Sequence, residues 1–382
     1  MNGGFAVSQL ERVFLSGLCV SLRPLRLSCF LTQRTQRYAK TAEKNFKLRD
    51  TTGFLLECRT RMQKIFINEF GRLRSGWRLA LFVFLFIAAS LLLVTVVRIG
   101  YAFLHEAIPT PPYAQAIFEL IYRTSLLACA LGAGYLLAKY VEGLPFRSLG
   151  ISLHDGWFRD LLIGCALGFV ALAVAVAIGA IGGRLRFTFN SAGLIPSIIK
   201  SLIGSSVLLF VAALAEEAIF RGYPLQTLAR AGLAWLGVVL TLVFFAAGHL
   251  DNPNAVPAIT FTNTALAGLA FAVAYLRTRS LWFPFGLHWA WNWALGWFFG
   301  LPVSGLKLVS HPLLLASDGG PFWLTGGSYG IEGGVASTVA FVLLTVFTWF
   351  TPWLRATPEL QKLTSEENPA IPSPVLSIRS VE

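Results

Sequence analysis

From Leu79 to Leu354 the chain returns again and again to apolar stretches of about 18 residues or more that carry almost no charge. A soluble domain has no use for so many. Read in order, the stretches are Leu79–Val97, Ala114–Leu137, Leu161–Ile181, a segment from near Ile195 to about Arg230, Leu233–Gly248, Ala255–Leu276, Leu281–Leu301 and Val335–Leu354. Every backbone group inside lipid must be satisfied within its own segment, so each stretch is expected to be helical. The fold class is therefore an all-α polytopic membrane protein with about eight transmembrane helices. No repeat of 20–50 residues interrupts the pattern, which excludes solenoids and propellers.

Charge agrees once it is given an address. The formal net charge is +12, which in a polar chain would point to nucleic acid. Residues 1–78 hold 15 of the 31 basic groups and 5 of the 19 acidic ones, and the remainder is nearly balanced. A nucleic-acid partner is excluded. With the amino end cytoplasmic, the inner connections hold Arg78, Lys139, Arg147, Arg159, Arg230, Arg277, Arg279 and Arg355, against Arg184, Arg186 and Lys307 outside. The positive-inside rule then places both termini in the cytoplasm.

The ends differ from the core. Residues 1–61 are basic and acid-poor, and Met62 opens a short polar lead, a basic cluster and the first apolar run. This reads as an over-extended or dispensable amino-terminal segment. Residues 357–382 are polar and proline-bearing, the composition of a disordered cytoplasmic tail. Between them lie an amino-terminal set of three helices (62–199), a core (200–300), and an outside loop with the last helix (301–356). The five cysteines, Cys19, Cys29, Cys58, Cys129 and Cys165, show no paired spacing, so neither a disulfide framework nor a thiolate zinc site is expected.

Ionisable groups inside apolar spans are expensive, and by default mark function. Glu216 and Glu217 stand together in LLFVAALAEEAIFRGY, followed by Arg221. His249 ends TLVFFAAGHLDN, and His288 and Asn292 sit in GLHWAWNWALG. Glu217 and Arg221 are four apart and share a helix face, whereas Glu216 is turned about 100° away and faces elsewhere. Phe245 and His249 repeat the four-residue spacing, as do His288 and Asn292. Measured from the connections, the Glu pair lies about 20 Å deep, His288 about 12 Å and His249 about 25 Å. His249 is the least comfortable member. Carboxylate plus imidazoles can activate water directly or hold zinc through Glu216, His249 and His288 with a position open for water. Asn292 can donate to an oxyanion. His105, His154 and His311 read as ordinary surface or loop groups, and the tryptophans around His288 as packing or interface residues.

The three patterns resemble the motifs of the CPBP family of intramembrane proteases, which includes type II CAAX prenyl endopeptidases and the bacteriocin-processing or self-immunity (Abi) proteins. The family's EExxxR, FxxxH and HxxxN stand here as Glu216-Glu217-Ala-Ile-Phe-Arg221, Phe245-Ala-Ala-Gly-His249 and His288-Trp-Ala-Trp-Asn292. The resemblance implies an intramembrane endopeptidase in a bacterial plasma membrane. Glu216 would activate water with His249 as partner, and His288 and Asn292 would hold the oxyanion. Glu217, Arg221 and Phe245 would support them, with zinc or no cofactor at all. The implied partner is a peptide or membrane-protein substrate, lipidated or not. A non-catalytic scaffold or self-immunity protein using the same cavity is the alternative.

Overall fold

The computed structural model describes residues 65–68, 71–107, 114–191 and 195–364. The suspected extension 1–61, with Cys19, Cys29 and Cys58, lies outside them. The chain divides into two units at Arg74. In the first, the described residues form a small turn in which Ile67 bridges Leu73 and Asn68 accepts from the Arg72 backbone N–H at 2.9 Å.

The second unit is helical. In chain order it comprises α1 (Ser75–Ala107), α2 (Ala114–Tyr140), α3 (Trp157–Gly183), strand β1 (Leu185–Phe189), α4 (Ile195–Glu217), α5 (Tyr223–Arg230), α6 (Ala234–Ala247), α7 (Pro257–Thr278), α8 (Trp282–Trp293), strand β2 (Leu314–Asp318), α9 (Val335–Phe350) and α10 (Pro358–Leu363). All eight expected stretches are helical, and this is an integral, all-α polytopic membrane protein. The count of full spans needs correcting. Five helical segments among the described residues are long and apolar enough to cross a membrane: Ser75–Leu104, Ala114–Tyr140, Trp157–Gly182, Ile195–Arg230 and Pro257–Thr278. Helices α6, α8 and α9 have only 14, 12 and 16 residues. At 1.5 Å per residue they reach about 18–24 Å, short of a 30 Å hydrocarbon core.

The fourth span is broken where Pro224 falls. Pro224 has no N–H to donate one turn back and its ring crowds that carbonyl. The chain takes a π turn at Ala218–Gly222 and restarts as α5, with Pro224 in its first turn. Such single-turn π segments commonly lie at functional sites.

Large apolar side chains such as Phe84, Leu91, Leu92 and Phe103 stay exposed along α1, as a lipid-solvated helix requires. Inside, α3 and α8 approach most closely, and glycine makes it possible. A Cβ on Gly164 or Gly168 would overlap the carbonyls of Phe283 and Leu287, and one on Gly286 would lie 2.5 Å from Leu161 O. Small residues four apart let backbones touch where lipid offers no hydrophobic drive. Helix α7 is tied to α9 by Asn263, which donates to Glu332 O (2.7 Å) and Gly334 O (2.9 Å) and accepts from Thr338 Oγ1 (2.7 Å). The two strands pair antiparallel, Phe187 opposite Ala316.

Several expectations change. Arg78 and Arg230, counted as topological charges, are buried and pair with the buried Glu142, Arg78 at 2.8 Å. His154 is a buried residue, with Nε2 3.1 Å from Ser280 Oγ and Nδ1 2.9 Å from Asp155 O. The tail expected to be disordered from 357 begins with an ordered helix instead. Thr357 caps α10, Leu360 is buried, and Glu359 pairs with Arg147 at 2.7 Å. Residues 365–382 lie outside the description. His311 is exposed, as expected, and the side chain of His105 is not among those described. Cys129 is buried, Cys165 half-buried, and both are free thiols.

Candidate active site

The site grows from the last turn of α4. Glu217 is fully buried and its Oε1 does two jobs. It accepts from Arg221 Nη1 at 3.1 Å, the four-residue pairing expected, and from His288 Nδ1–H at 2.9 Å, which the sequence could not show. Arg221 is also fully buried. Its Nη2 donates to Gly268 O at 3.0 Å, and its guanidinium lies 4.6 Å from the Phe245 ring centre and 5.3 Å from that of Phe271. Two aromatic faces and a carboxylate are what a cation removed from water requires.

His288 is held in three directions. Its Nδ1–H is fixed by Glu217, one face stacks on Phe271 (4.7 Å, 16°), and the Phe245 edge meets it at 6.0 Å. Nε2 is left facing Glu216 Oε2 at 3.6 Å, longer than a hydrogen bond. Glu216 is turned away from its buried neighbour, and its side chain keeps 22% of its accessible surface. His249 lies just past the end of α6, in the turn after Gly248, with Nδ1 2.7 Å from Phe245 O. The carbonyl can only accept, so Nδ1 carries the proton and Nε2 keeps its lone pair. Phe245 thus serves through its ring and its carbonyl, and is itself buried.

Glu216, His249, His288 and Asn292 all line one cavity of about 290 Å³. Its remaining wall was not read from the sequence. Arg123 on α2 lines it, 3.6 Å from Glu216 and 3.8 Å from Glu119. The charge inside an apolar stretch was the available signal. Glu332 holds the loop that forms the rim, accepting from Ser304 N (2.5 Å), Ser304 Oγ (3.2 Å) and Trp291 Nε1 (2.9 Å). Outside the spans, burial, with the Glu332 carboxylate nearby, pushes the Tyr329 phenol well above its ordinary range, so it stays protonated. The other tryptophans are packing residues whose N–H groups find acceptors: Trp289 at Ser206 O, Trp293 at Ser206 Oγ, Trp297 at Ile198 O.

The donors suit zinc in type, since each imidazole spends Nδ1 on a protein acceptor and presents Nε2. They do not suit it in spacing. Among the described residues no three His, Cys, Asp or Glu groups come close enough together to hold one ion.

Residues 198–294 match the family model described as type II CAAX prenyl endopeptidase Rce1-like. This segment is similar to the Rce1-like family. The match runs from within α4 to the end of α8, and so contains Glu216, Glu217, Arg221, Phe245, His249, His288 and Asn292. Arg123, Ser304 and Glu332 fall outside the Rce1-like segment, although they line the same cavity. No curated protein matches the chain.

Proposed function

We propose that this protein is an intramembrane endopeptidase that hydrolyses a peptide bond with a water activated by Glu216. One observation carries the proposal: two adjacent carboxylates are divided between tasks. Glu217 is sealed in the core and orients His288, whereas Glu216 is open to the cavity and faces the same ring. A carboxylate left partly open to a cavity beside two positioned imidazoles suits a general base, and packing alone does not call for one.

In the proposed step Glu216 takes a proton as the water oxygen attacks the carbonyl carbon, and the carbonyl electron pair moves onto oxygen. Asn292 donates to that oxyanion, joined by His288 Nε2 when the ring carries both protons and Glu217 supplies the counter-charge. Collapse breaks the C–N bond. The proton held by Glu216, or passed through His249 Nε2, goes to the departing amine, leaving a carboxylic acid and an amine. Zinc is not needed for any of these steps.

The substrate is a peptide or membrane protein, lipidated or not, in a bacterial plasma membrane, with both termini of the protease cytoplasmic. Asn252, Ser304, Leu306 and Leu308 line the cavity from connections at the ends of α6, α7 and α8 opposite to Arg230, Arg277 and Arg279. In this orientation the substrate enters from the non-cytoplasmic face. Comparing membrane peptides from cells with wild-type protein and with Glu216→Gln tests the reading. Cleavage products that vanish in the variant are expected. Identical peptide sets, with a phenotype the variant still supports, would instead establish a non-catalytic scaffold or self-immunity role.

A further inference from the structure

A second concave site lies at the arginine-rich ends of α7 and α9, away from the catalytic cavity. It is an open depression of about 450 Å³ lined by Leu276, Arg277, Arg279, Leu354, Arg355 and Gln361 with Ala356. Three arginines and no Asp or Glu line it. Arg277 spends Nη2 on Thr351 O at 2.7 Å, which ties the end of α7 to the end of α9. Arg277 Nε and Arg279 Nη1 are buried yet have no acceptor among the described residues. Buried donors of this kind are rarely left unpaired, because desolvation without a partner is costly.

The backbone adds an independent observation. Arg279 caps α7 in the left-handed conformation, at φ 54°, and its N–H bonds to Tyr275 O. Glycine is the usual residue there, because any Cβ is strained. An arginine in a glycine position is explained if its side chain is needed. The surroundings say for what. The depression sits where two membrane helices end, its floor is apolar (Leu276, Leu354), and Trp349, Phe350 and Trp353 stand exposed nearby as interfacial anchors.

We propose that this pocket binds the phosphate of an anionic phospholipid headgroup. Planar guanidinium forks match phosphate oxygens bidentately, and basic pockets between helix ends on the inner leaflet favour anionic lipid. Acyl chains would lie along the exposed apolar face of α9, with Val342, Val346 and Phe350. The site is independent of catalysis.

Full-length protein in detergent should be titrated with phosphatidylglycerol, phosphatidylcholine or inorganic phosphate and read by native mass spectrometry and thermal unfolding. Phosphatidylglycerol should be retained and should raise the unfolding temperature. Phosphatidylcholine and inorganic phosphate should do neither at matched concentration. Arg279→Gly is the decisive variant, because it relieves backbone strain while removing the guanidinium. It should fold at least as well as wild type and bind phosphatidylglycerol roughly tenfold more weakly, as should the exposed Arg355→Gln. Equal retention of the two lipids, competition by inorganic phosphate at matched concentration, or wild-type affinity in Arg279→Gly would overturn the proposal.

Discussion

Replacing either of the adjacent carboxylates by glutamine should separate folding from chemistry. Glu217 Oε1 serves both Arg221 and His288, while its Oε2 is buried without a partner. Glutamine can therefore keep both hydrogen bonds through its own carbonyl, but it loses the charge and buries an NH2 group where Oε2 has no partner among the described residues. Charge-assisted hydrogen bonds contribute about 1.5–3 kcal/mol and neutral ones about 0.5–1.5. Two bonds each weakened by about 1 kcal/mol give a loss of about 2 kcal/mol. Leaving Arg221 buried without its counter-charge pushes this toward the 3–5 kcal/mol typical of broken buried pairs. At roughly 2–4 °C per kcal/mol, Glu217→Gln should unfold about 10 °C earlier. Glu217→Ala, which loses both acceptors, should do worse.

Glu216→Gln should behave in the opposite way. The partly open side chain makes only long contacts, 3.6 Å to Arg123 and to His288, so the variant's unfolding temperature should stay within a few degrees of wild type. Its proteolytic rate should fall about 10²–10⁴-fold, the usual contribution of a general base. The assay is paired: tryptophan fluorescence on heating, and cleavage of the substrate found by peptide comparison. An unshifted Glu217→Gln would refute the buried triad. Substantial turnover by Glu216→Gln would refute the base.

Other expectations follow from the same geometry. Asn292→Ala should lower turnover about 10²–10³-fold with little change in substrate binding, because its donor is needed only by the oxyanion; a pure binding defect in steady-state kinetics would contradict this. Gly168→Val should push α8 off α3 and cut both folding yield and activity in size-exclusion and cleavage assays, while Gly204→Ala, which meets nothing within 4 Å, should be silent. Glu142→Ala removes the carboxylate that pairs with buried Arg78 and Arg230 and should destabilise by about 3–5 kcal/mol in thermal unfolding, with normal turnover in the folded fraction. Chelation and removal of zinc should leave proteolysis intact; loss of activity restored by stoichiometric zinc would show that the three donors close around an ion. Leu308→Cys should react with a membrane-impermeant maleimide added outside intact cells, and labelling only after lysis would reverse the orientation.

Much of the site was legible because its spacing is local. A spacing of four between Glu217 and Arg221 implies one helix face, and the 100° offset of Glu216 implies another; both hold. What was missed depends on contacts between distant segments. Glu217 and His288 are 71 residues apart, and no periodicity announces that one carboxylate orients the other. Arg78 and Arg230 carry the charge that topology rules count, yet Glu142 draws both into the interior. His154 sits among polar neighbours, so local composition placed it at the surface, whereas Ser280 on another connection receives it. Gly164 and Gly168 stand four apart in the sequence, but that they meet the backbone around Gly286 shows only in the fold.

The shortened helices explain how the proposed hydrolysis is feasible at this depth. A helix of 14 residues, such as α6, ends about 9 Å before a 30 Å hydrocarbon core does. The turn that follows carries His249 and Asn252, and a non-helical backbone within the membrane is tolerated only against protein or a water-filled cavity. Helix α8 also stops early, passing through a π turn at Ala294–Phe298 into the loop that bears Ser304. Two helices ending short, roofed by a loop that Glu332 latches, create a recess that water can enter from one face. Longer helices at these positions would satisfy their own backbone and fill the recess. The departure from eight full spans and the proposed activation of water therefore share one physical origin. Extending α6 by a helical turn before Gly248 should close the cavity, leaving the protein folded and unable to cleave.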